Sequence, residues 1–201
     1  MSKTRHAQIH RKTGETDIQI KLAIDGSGAS RIATGIPFFD HMLTLFAKHA
    51  LFNLDVRAKG DVQVDFHHTV EDTGIVLGQA LAKALGDKKG LVRYGNFDLP
   101  MDETLVRVAL DFSGRPLLVW RAPKGVNLNR LKAGDFPAQL TVEFLRAFAQ
   151  QAGLTLHVEV LYSDDTHHLV EAVFKGLARA LEQAVRRDPR VKGIPSTKGL
   201  L

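Results

Sequence analysis

The 201-residue sequence predicts an α+β fold: internally duplicated βββαβα halves, with helices packed together between two four-stranded mixed sheets. Three observations lead there. His67-His68-Thr69-Val70-Glu71 recurs as His167-His168-Leu169-Val170-Glu171, one hundred residues later. Compared without gaps, 65–84 and 165–184 agree at Asp65, His67, His68, Val70, Glu71, Leu77, Ala80, Leu81 and Ala84. Chance gives about one such match, so the chain reads as an internal duplication. Finally, neither half is long enough to bury its sheet and its helices alone. Helices should therefore pack on helices and leave a sheet on each outside.

The elements follow in order. Gln8–Lys12 and Asp17–Ile24 open the first half, the second of these alternating apolar and polar residues as a strand does. Asp25-Gly26-Ser27-Gly28 is a turn signal and predicts a hairpin into Ser30–Thr34. Pro37 suits a first helical turn, and helical spacing runs on through Ala47. Leu54–Val64 alternates again. His68–Leu85 is an amphipathic helix with Val70, Leu77, Leu81 and Ala84 inward. The second half predicts strands at Val92–Leu99, Leu105–Asp111 and Pro116–Arg121, a helix at Pro137–Ala152, a strand at Thr155–Tyr162 and a helix at His168–Arg186. The junction is Gly86-Asp87-Lys88-Lys89-Gly90. One catalytic domain over 1–201 is expected, with halves at about 1–90 and 91–189 and a substrate-binding loop tail over 190–201.

Composition narrows the function. With 44% hydrophobic and 24% charged residues the chain is an ordinary globular one. No run of apolar residues is long enough to span a membrane. The start, Met1-Ser2-Lys3-Thr4-Arg5-His6, has no apolar stretch, so no secretory signal is expected. The chain has no cysteine. That excludes thiolate metal sites and fits a reducing cytoplasm. The net charge of +5 is spread along the chain without aromatic interleaving. It therefore favours a few arginines kept for an anionic small molecule over a nucleic-acid partner.

The doubled motif points to metal. At about 100° per residue, Glu71 falls angularly between His67 and His68 on one helix face, and Glu171 does the same for His167 and His168. Imidazole nitrogens with carboxylate oxygens suit Mn, Fe, Co, Ni or Zn. Lacking thiolates, the site is expected to be catalytic, with positions open for water or substrate. Asp65 and Asp165 stand where they would cap the two helices. Each motif supplies at most three ligands, so others must come from elsewhere, for example a neighbouring subunit.

Asp40-His41-Met42-Leu43, His67-His68-Thr69-Val70-Glu71-Asp72, Met101-Asp102-Glu103, Ser113-Gly114-Arg115-Pro116, Leu156-His157, His167-His168 with Glu171, and Pro195-Ser196-Thr197-Lys198-Gly199 occur in this order over essentially the whole chain. As a set they resemble the imidazoleglycerol-phosphate dehydratase family of histidine biosynthesis. The resemblance implies a manganese lyase with two ions per active site and metal sites at subunit interfaces of a large cubic homo-oligomer, a 24-mer in the family. It implies His41, His67, His68, Glu71, His167, His168 and Glu171 as ligands. Many relatives carry a further ligating histidine where this chain has Glu143. A glutamate can also ligate manganese; a surface carboxylate is the other reading.

The implied reaction removes water from imidazoleglycerol phosphate and gives imidazoleacetol phosphate. The carbon-bound proton is not acidic by itself, and Lewis acids on the ring nitrogens would make its loss possible. Glu15 matches a substrate-contacting glutamate and is the expected acid/base, an exposed hairpin carboxylate being its plain alternative. Glu171 could share that role, although a ligated carboxylate is a poorer base. His49 and Lys48 match a substrate-lining stretch. Arg93 and Arg115 match the phosphate-binding arginines, and Ser196 and Lys198 complete that set. A binuclear metallohydrolase acting on a phosphorylated small molecule is the first rival. A non-enzymatic metal- or nucleic-acid-binding oligomer is the second. A serine hydrolase is not supported, since there is no GxSxG elbow.

Overall fold

The computed structural model describes residues 5–201. Most of the N-terminal stretch read above for a leader, residues 1–4, lies outside the described residues. The first half runs β1 (His6–Lys12), β2 (Thr16–Ala23), β3 (Ser30–Ala33), α1 (Pro37–Ala50), β4 (Asn53–Gly60) and α2 (His67–Leu85). The second runs β5 (Tyr94–Met101), β6 (Thr104–Asp111) and β7 (Leu117–Arg121). It continues through a small hairpin of β8 (Lys132–Ala133) and β9 (Phe136–Pro137) to α3 (Gln139–Ala152), β10 (Thr155–Tyr162) and α4 (Thr166–Ala184).

The two main sheets have the same topology. Their strand orders are β1-β2-β4-β3 and β5-β6-β10-β7, and in each the last pair is parallel and the others antiparallel. Alternation sets the buried face. Thr16, Ile18, Ile20 and Leu22 point inward from β2, and Thr104, Val106, Val108 and Leu110 from β6. Against those faces lie α2 over β1 and β2, and α4 over β5 and β6; α2 packs on α3 and α4 on α1. The helix layer is thus shared between the sheets. Phe39 of α1, Phe144 of α3 and Phe174 of α4 close its centre, with ring centroids 5.1–6.3 Å apart.

The turn at residues 25–28 does not make the expected hairpin. Both edges of β2 are taken, by β1 and β4, so β3 crosses over and pairs in parallel with β4. The tight hairpin is instead β1–β2, whose turn carries Glu15. The β8–β9 hairpin and a 3-10 turn at Leu128–Arg130 were not expected either; two-residue strands leave no periodicity to read. Pro137 falls in β9, and α3 begins after it.

The halves differ where their helices approach. Cβ atoms added to Gly74 and Gly78 would stand 2.7 and 2.6 Å from the carbonyl oxygens of Phe144 and Phe148, so α2 reaches the α3 backbone. Their counterparts in α4 are Phe174 and Ala178. In the second half the tightest approach is strand to helix: a Cβ on Gly95 would lie 1.9 Å from the Ala180 carbonyl oxygen. Gly95→Ala should therefore lower stability by about 1–3 kcal/mol through overpacking, against the usual gain from removing a glycine. Gly193→Ala, with open space around it, should not. Thermal unfolding checks both, and an unchanged midpoint for Gly95→Ala would contradict the packing described.

Candidate metal centre and anion cavity

The first turns of α2 and α4 carry the doubled motif because aspartates fix their start. Asp165 is the N-cap of α4 and accepts from the His168 N–H at 2.9 Å. Asp65 accepts from the His67 N–H at 2.8 Å, one residue before the N-cap of α2. Asp40 accepts from the N–H and hydroxyl of Thr34 at 2.8 and 2.5 Å, which ties the β3–α1 loop to the turn bearing His41.

The adjacent histidines do not share their glutamate. His167 and His168 stand nearly perpendicular, with centroids 6.1 Å apart. His167 turns to Glu171, its Nε2 3.1 Å from Oε2, and Nε2 of His41 comes to 3.7 Å from the same oxygen. The ring of Phe38 braces His167 edge-on at 5.1 Å. His168 turns away to Glu103, its Nδ1 3.0 Å from Oε2. The first half repeats the division. His67 Nε2 lies 3.6 Å from Glu71, whereas His68 Nδ1 meets Asp61 Oδ2 at 3.0 Å. The expectation that Glu71 and Glu171 each lie between two imidazoles is therefore corrected. Positions three and four apart are both neighbours on a helix face, but here only the i, i+4 histidine meets the glutamate, because a carboxylate from another element draws the second histidine away.

Among the described residues, two groups bring three potential ligand atoms within 4.8 Å of one another: His41, His167 and Glu171; and Asp102, Glu103 and His168. The first fits a borderline divalent ion by donor chemistry, two imidazole nitrogens and one carboxylate oxygen. Both its imidazoles are half exposed, which leaves room for further ligands. Glu171 is buried, and burial pushes its pKa up. The Lys175 ammonium at 2.5 Å, with His167 and His41, outweighs that and holds it below the usual carboxylate range. Its Oε1 is taken by Lys175 and its Oε2 faces the histidines.

Glu15 sits at the tip of the β1–β2 turn, exposed, with Oε1 3.8 Å from His68 Nε2. The hairpin is fastened to α2 by Asp72, which accepts from the Thr16 hydroxyl at 2.5 Å and pairs with Arg11 at 2.5 Å. Bonding to Asp61 raises the pKa of His68, and bonding to Glu103 raises that of His168. His49 is lowered, first by burial and then by Lys175 and Arg179 across the α1–α4 contact. Glu143 joins neither three-residue group; its carboxylate is held by Gln139 and Arg146 on its own helix.

Residues 93–94, 113–115, 196–198 and 200–201 line a cavity of about 580 Å³, so Arg93, Arg115, Ser196 and Lys198 share one space. Arg93 plays a holding part there. Nε and Nη2 donate to the two oxygens of Asp111 at 2.6 and 3.0 Å, and Nη1 donates to the Pro195 carbonyl at 2.7 Å. The last residue closes down on Gly114, where a Cβ would be 2.8 Å from the Leu201 carbonyl carbon. The tail is a loop, as expected, and is pinned rather than loose.

Cavity and histidines lie at opposite ends of the second half. The Arg93 N–H bonds the Ala184 carbonyl at the C-terminus of α4, while His167 and His168 begin that helix, about 25 Å away at 1.5 Å per residue. Sequence reasoning missed Asp61, Lys175 and the partnership of Glu103 with His168. Glu103-Thr104 repeats Glu15-Thr16, each glutamate preceding a buried threonine at the start of an equivalent strand, and that echo could have found Glu103. No helix among the described residues is long and apolar enough to cross a membrane.

Residues 34–181 match the family model for imidazoleglycerol-phosphate dehydratase. The chain is 58% identical to the imidazoleglycerol-phosphate dehydratase of Acetivibrio thermocellus, over 98% of this chain and 99% of that one. Its fold is similar to the crystal structure of the Staphylococcus aureus enzyme of that name, with TM-score 0.80 and 41% identity over 91% and 99% of the two chains. The Pyrococcus furiosus structure gives TM-score 0.78 and 36% identity over 96% and 100%.

The Arg93 geometry has a direct consequence. A lysine in its place cannot hold Asp111 and the Pro195 carbonyl together. Arg93→Lys should free the tail and raise amide exchange across residues 194–199 about tenfold or more, as expected for losing a charged hydrogen bond. Unchanged exchange in that segment would contradict the pinning.

Proposed function

The chain belongs to the imidazoleglycerol-phosphate dehydratase family, and from this we infer that it is the hydro-lyase of histidine biosynthesis that turns imidazoleglycerol phosphate into imidazoleacetol phosphate and water. The observation that carries the reading to individual residues is the doubled motif, whose histidines meet carboxylates in both halves. We assign His41, His67, His68, Glu71, His167, His168 and Glu171 to two Mn²⁺ ions per active site. Glu143 is a further candidate ligand, on the condition that it leaves Gln139 and Arg146. When bound, the ions supply Lewis-acid polarisation of the substrate's imidazole ring.

The chain's own groups do the rest. The hydroxyl leaves from the carbon attached to the ring, and the proton leaves from the next carbon. Glu15, at an exposed hairpin tip beside His68, is the proton carrier. As carboxylate it takes the carbon-bound proton, and as acid it returns that proton to the ring-attached carbon when the resulting enol becomes the ketone; the enol O–H proton goes to the departed hydroxide, which leaves as water. Glu171, buried and held ionised, serves as ligand in preference to base. Arg115, Ser196 and Lys198 receive the phosphate, and Arg93 holds the tail that brings the last two. His49, in the last turn of α1 near Lys175 and Arg179, is assigned to the substrate by the family resemblance alone.

A phosphorylated imidazole of this size spans roughly 10 Å. It cannot reach from the arginine cavity of one chain to His167 of the same chain. On this reading the active site draws on more than one copy, which supports a homo-oligomer; the 24-mer is what the family resemblance implies. The group of His41, His167 and Glu171, three donors with both imidazoles half exposed, supports the same reading. A cysteine-free chain supports a cytoplasmic setting.

Metal-stripped protein should turn over imidazoleglycerol phosphate only after Mn²⁺ is added. Silence with every divalent ion, together with phosphoester hydrolysis, would favour the metallohydrolase instead. Glu15→Gln should lose about 10²–10⁴-fold in kcat while keeping its Mn²⁺. Loss of the metal in that variant would contradict the division of roles. Because His68 and His168 hold protons more tightly than free imidazole, protons compete with metal up to a pH above the ordinary histidine value. Mn²⁺ affinity should be full above that raised pKa and fall as pH drops through it. A dissociation constant unchanged from about pH 8 to about pH 5.5 would oppose this.

A further inference from the structure

We propose that Asp61 and Glu103 are positioning residues that clamp Nδ1 of His68 and His168 so that Nε2 of each faces outward as the ligating atom, and that Asp61 has thereby released Glu15 for proton transfer. The proposal rests on the metal reading above and adds to it. Each contact is on the ring nitrogen nearer the backbone: Asp61 Oδ2 at 3.0 Å from His68 Nδ1, and Glu103 Oε2 at 3.0 Å from His168 Nδ1. A carboxylate can only accept, so Nδ1 carries the proton and Nε2 keeps its lone pair. A metal-bound histidine commonly has its second nitrogen held in this way, which fixes the ring and raises its basicity.

The clamps are built. Asp61 Oδ1 is buried and without a hydrogen-bond partner, so among the described residues this carboxylate bonds the imidazole alone. Desolvating a carboxylate oxygen without a bond is unfavourable, and a residue kept there for folding alone would be better replaced by an apolar one. Gly60 makes the approach possible, since a Cβ on it would be 2.1 Å from the Thr69 hydroxyl in the first turn of α2. On the other side Glu103 is held by its own backbone N–H and by the Thr104 hydroxyl, which in turn meets Ser163 at 2.7 Å.

The two clamps are not equivalents under the duplication. Glu103 corresponds to Glu15, each in the turn before a buried threonine. In the second half the turn glutamate grips Nδ1. In the first half Asp61, from the β4–α2 loop, has taken that place, and Glu15 stands 3.8 Å off on the Nε2 side, more exposed than Glu103. One ancestral position thus has two outcomes, a clamp in one half and an exposed carboxylate beside the expected metal position in the other.

The test is Mn²⁺ affinity of stripped protein, by competition with a chelator. His168→Ala sets the scale, and Glu103→Gln, Glu103→Asp, Asp61→Asn and Glu15→Gln are compared with it. Loss of a clamp weakens binding by about 10–100-fold. Glu103→Asp, one methylene too short to reach Nδ1, should show that loss. Glu103→Gln and Asp61→Asn keep an acceptor for the Nδ1 proton and should lose only a few-fold, with activity restored by excess Mn²⁺. Glu15→Gln should leave affinity unchanged, with kcat still about 10²–10⁴-fold down at saturating metal. If Glu103→Gln is as weak as Glu103→Asp, Glu103 is itself a ligand and the positioning role is overturned. Wild-type affinity in Glu103→Asp overturns it as well. Should His168→Ala retain its metal, the ligand assignment fails and the clamp proposal falls with it, whereas failure in the Glu103 variants alone overturns only the clamp.

Discussion

Neighbouring positions on an α-helix point about 100° apart, and this fact governs the molecule's chemistry. A His-His pair at a helix start cannot close on one small ion from one side. Each motif instead sends its first histidine to the glutamate one turn on and its second to a carboxylate from another element. Two motifs give four separate histidine contacts in one chain, each open to the outside. The proposed assembly would complete such half-sites with other copies of the chain.

The fold serves that division. Duplication gives two sheets of identical strand order and puts both helix starts at the ends of their sheets, where strand turns deliver carboxylates. Because the helices share one core around Phe39, Phe144 and Phe174, the halves form a single body, as the single-domain reading proposes. Symmetry is then broken at particular residues. Asp72 ties the Glu15 hairpin to α2 through Thr16 and Arg11, while its counterpart in α4 is Ala172. Lys175 steadies Glu171, while its counterpart in α2 is Ile75. The copies kept their scaffold and divided the labour.

Much of this was legible in the sequence. Repetition exposed the doubled motif, and periodicity placed all four long helices and the eight strands of the main sheets within a few residues. The pairing of β3 was not legible, since a turn signal says that the chain reverses and not which strand will be free to receive it. Partners of the second histidines were hidden for a different reason. Asp61 and Glu103 reach His68 and His168 across seven and sixty-five residues of chain, through a loop and a turn whose aim local pattern does not encode. Arg93 was read as a phosphate ligand from resemblance alone; its hold on Asp111 and Pro195 needed coordinates.

The claim on which the rest turns is that one motif feeds two ions. Diffraction from Mn²⁺-loaded crystals at the manganese absorption edge would locate the ions directly. The account predicts that His167 and His168 of one chain lie on different ions, with Glu171 on the ion of His167 and Glu103 on no ion. One ion held jointly by His167, His168 and Glu171 of a single chain would contradict it.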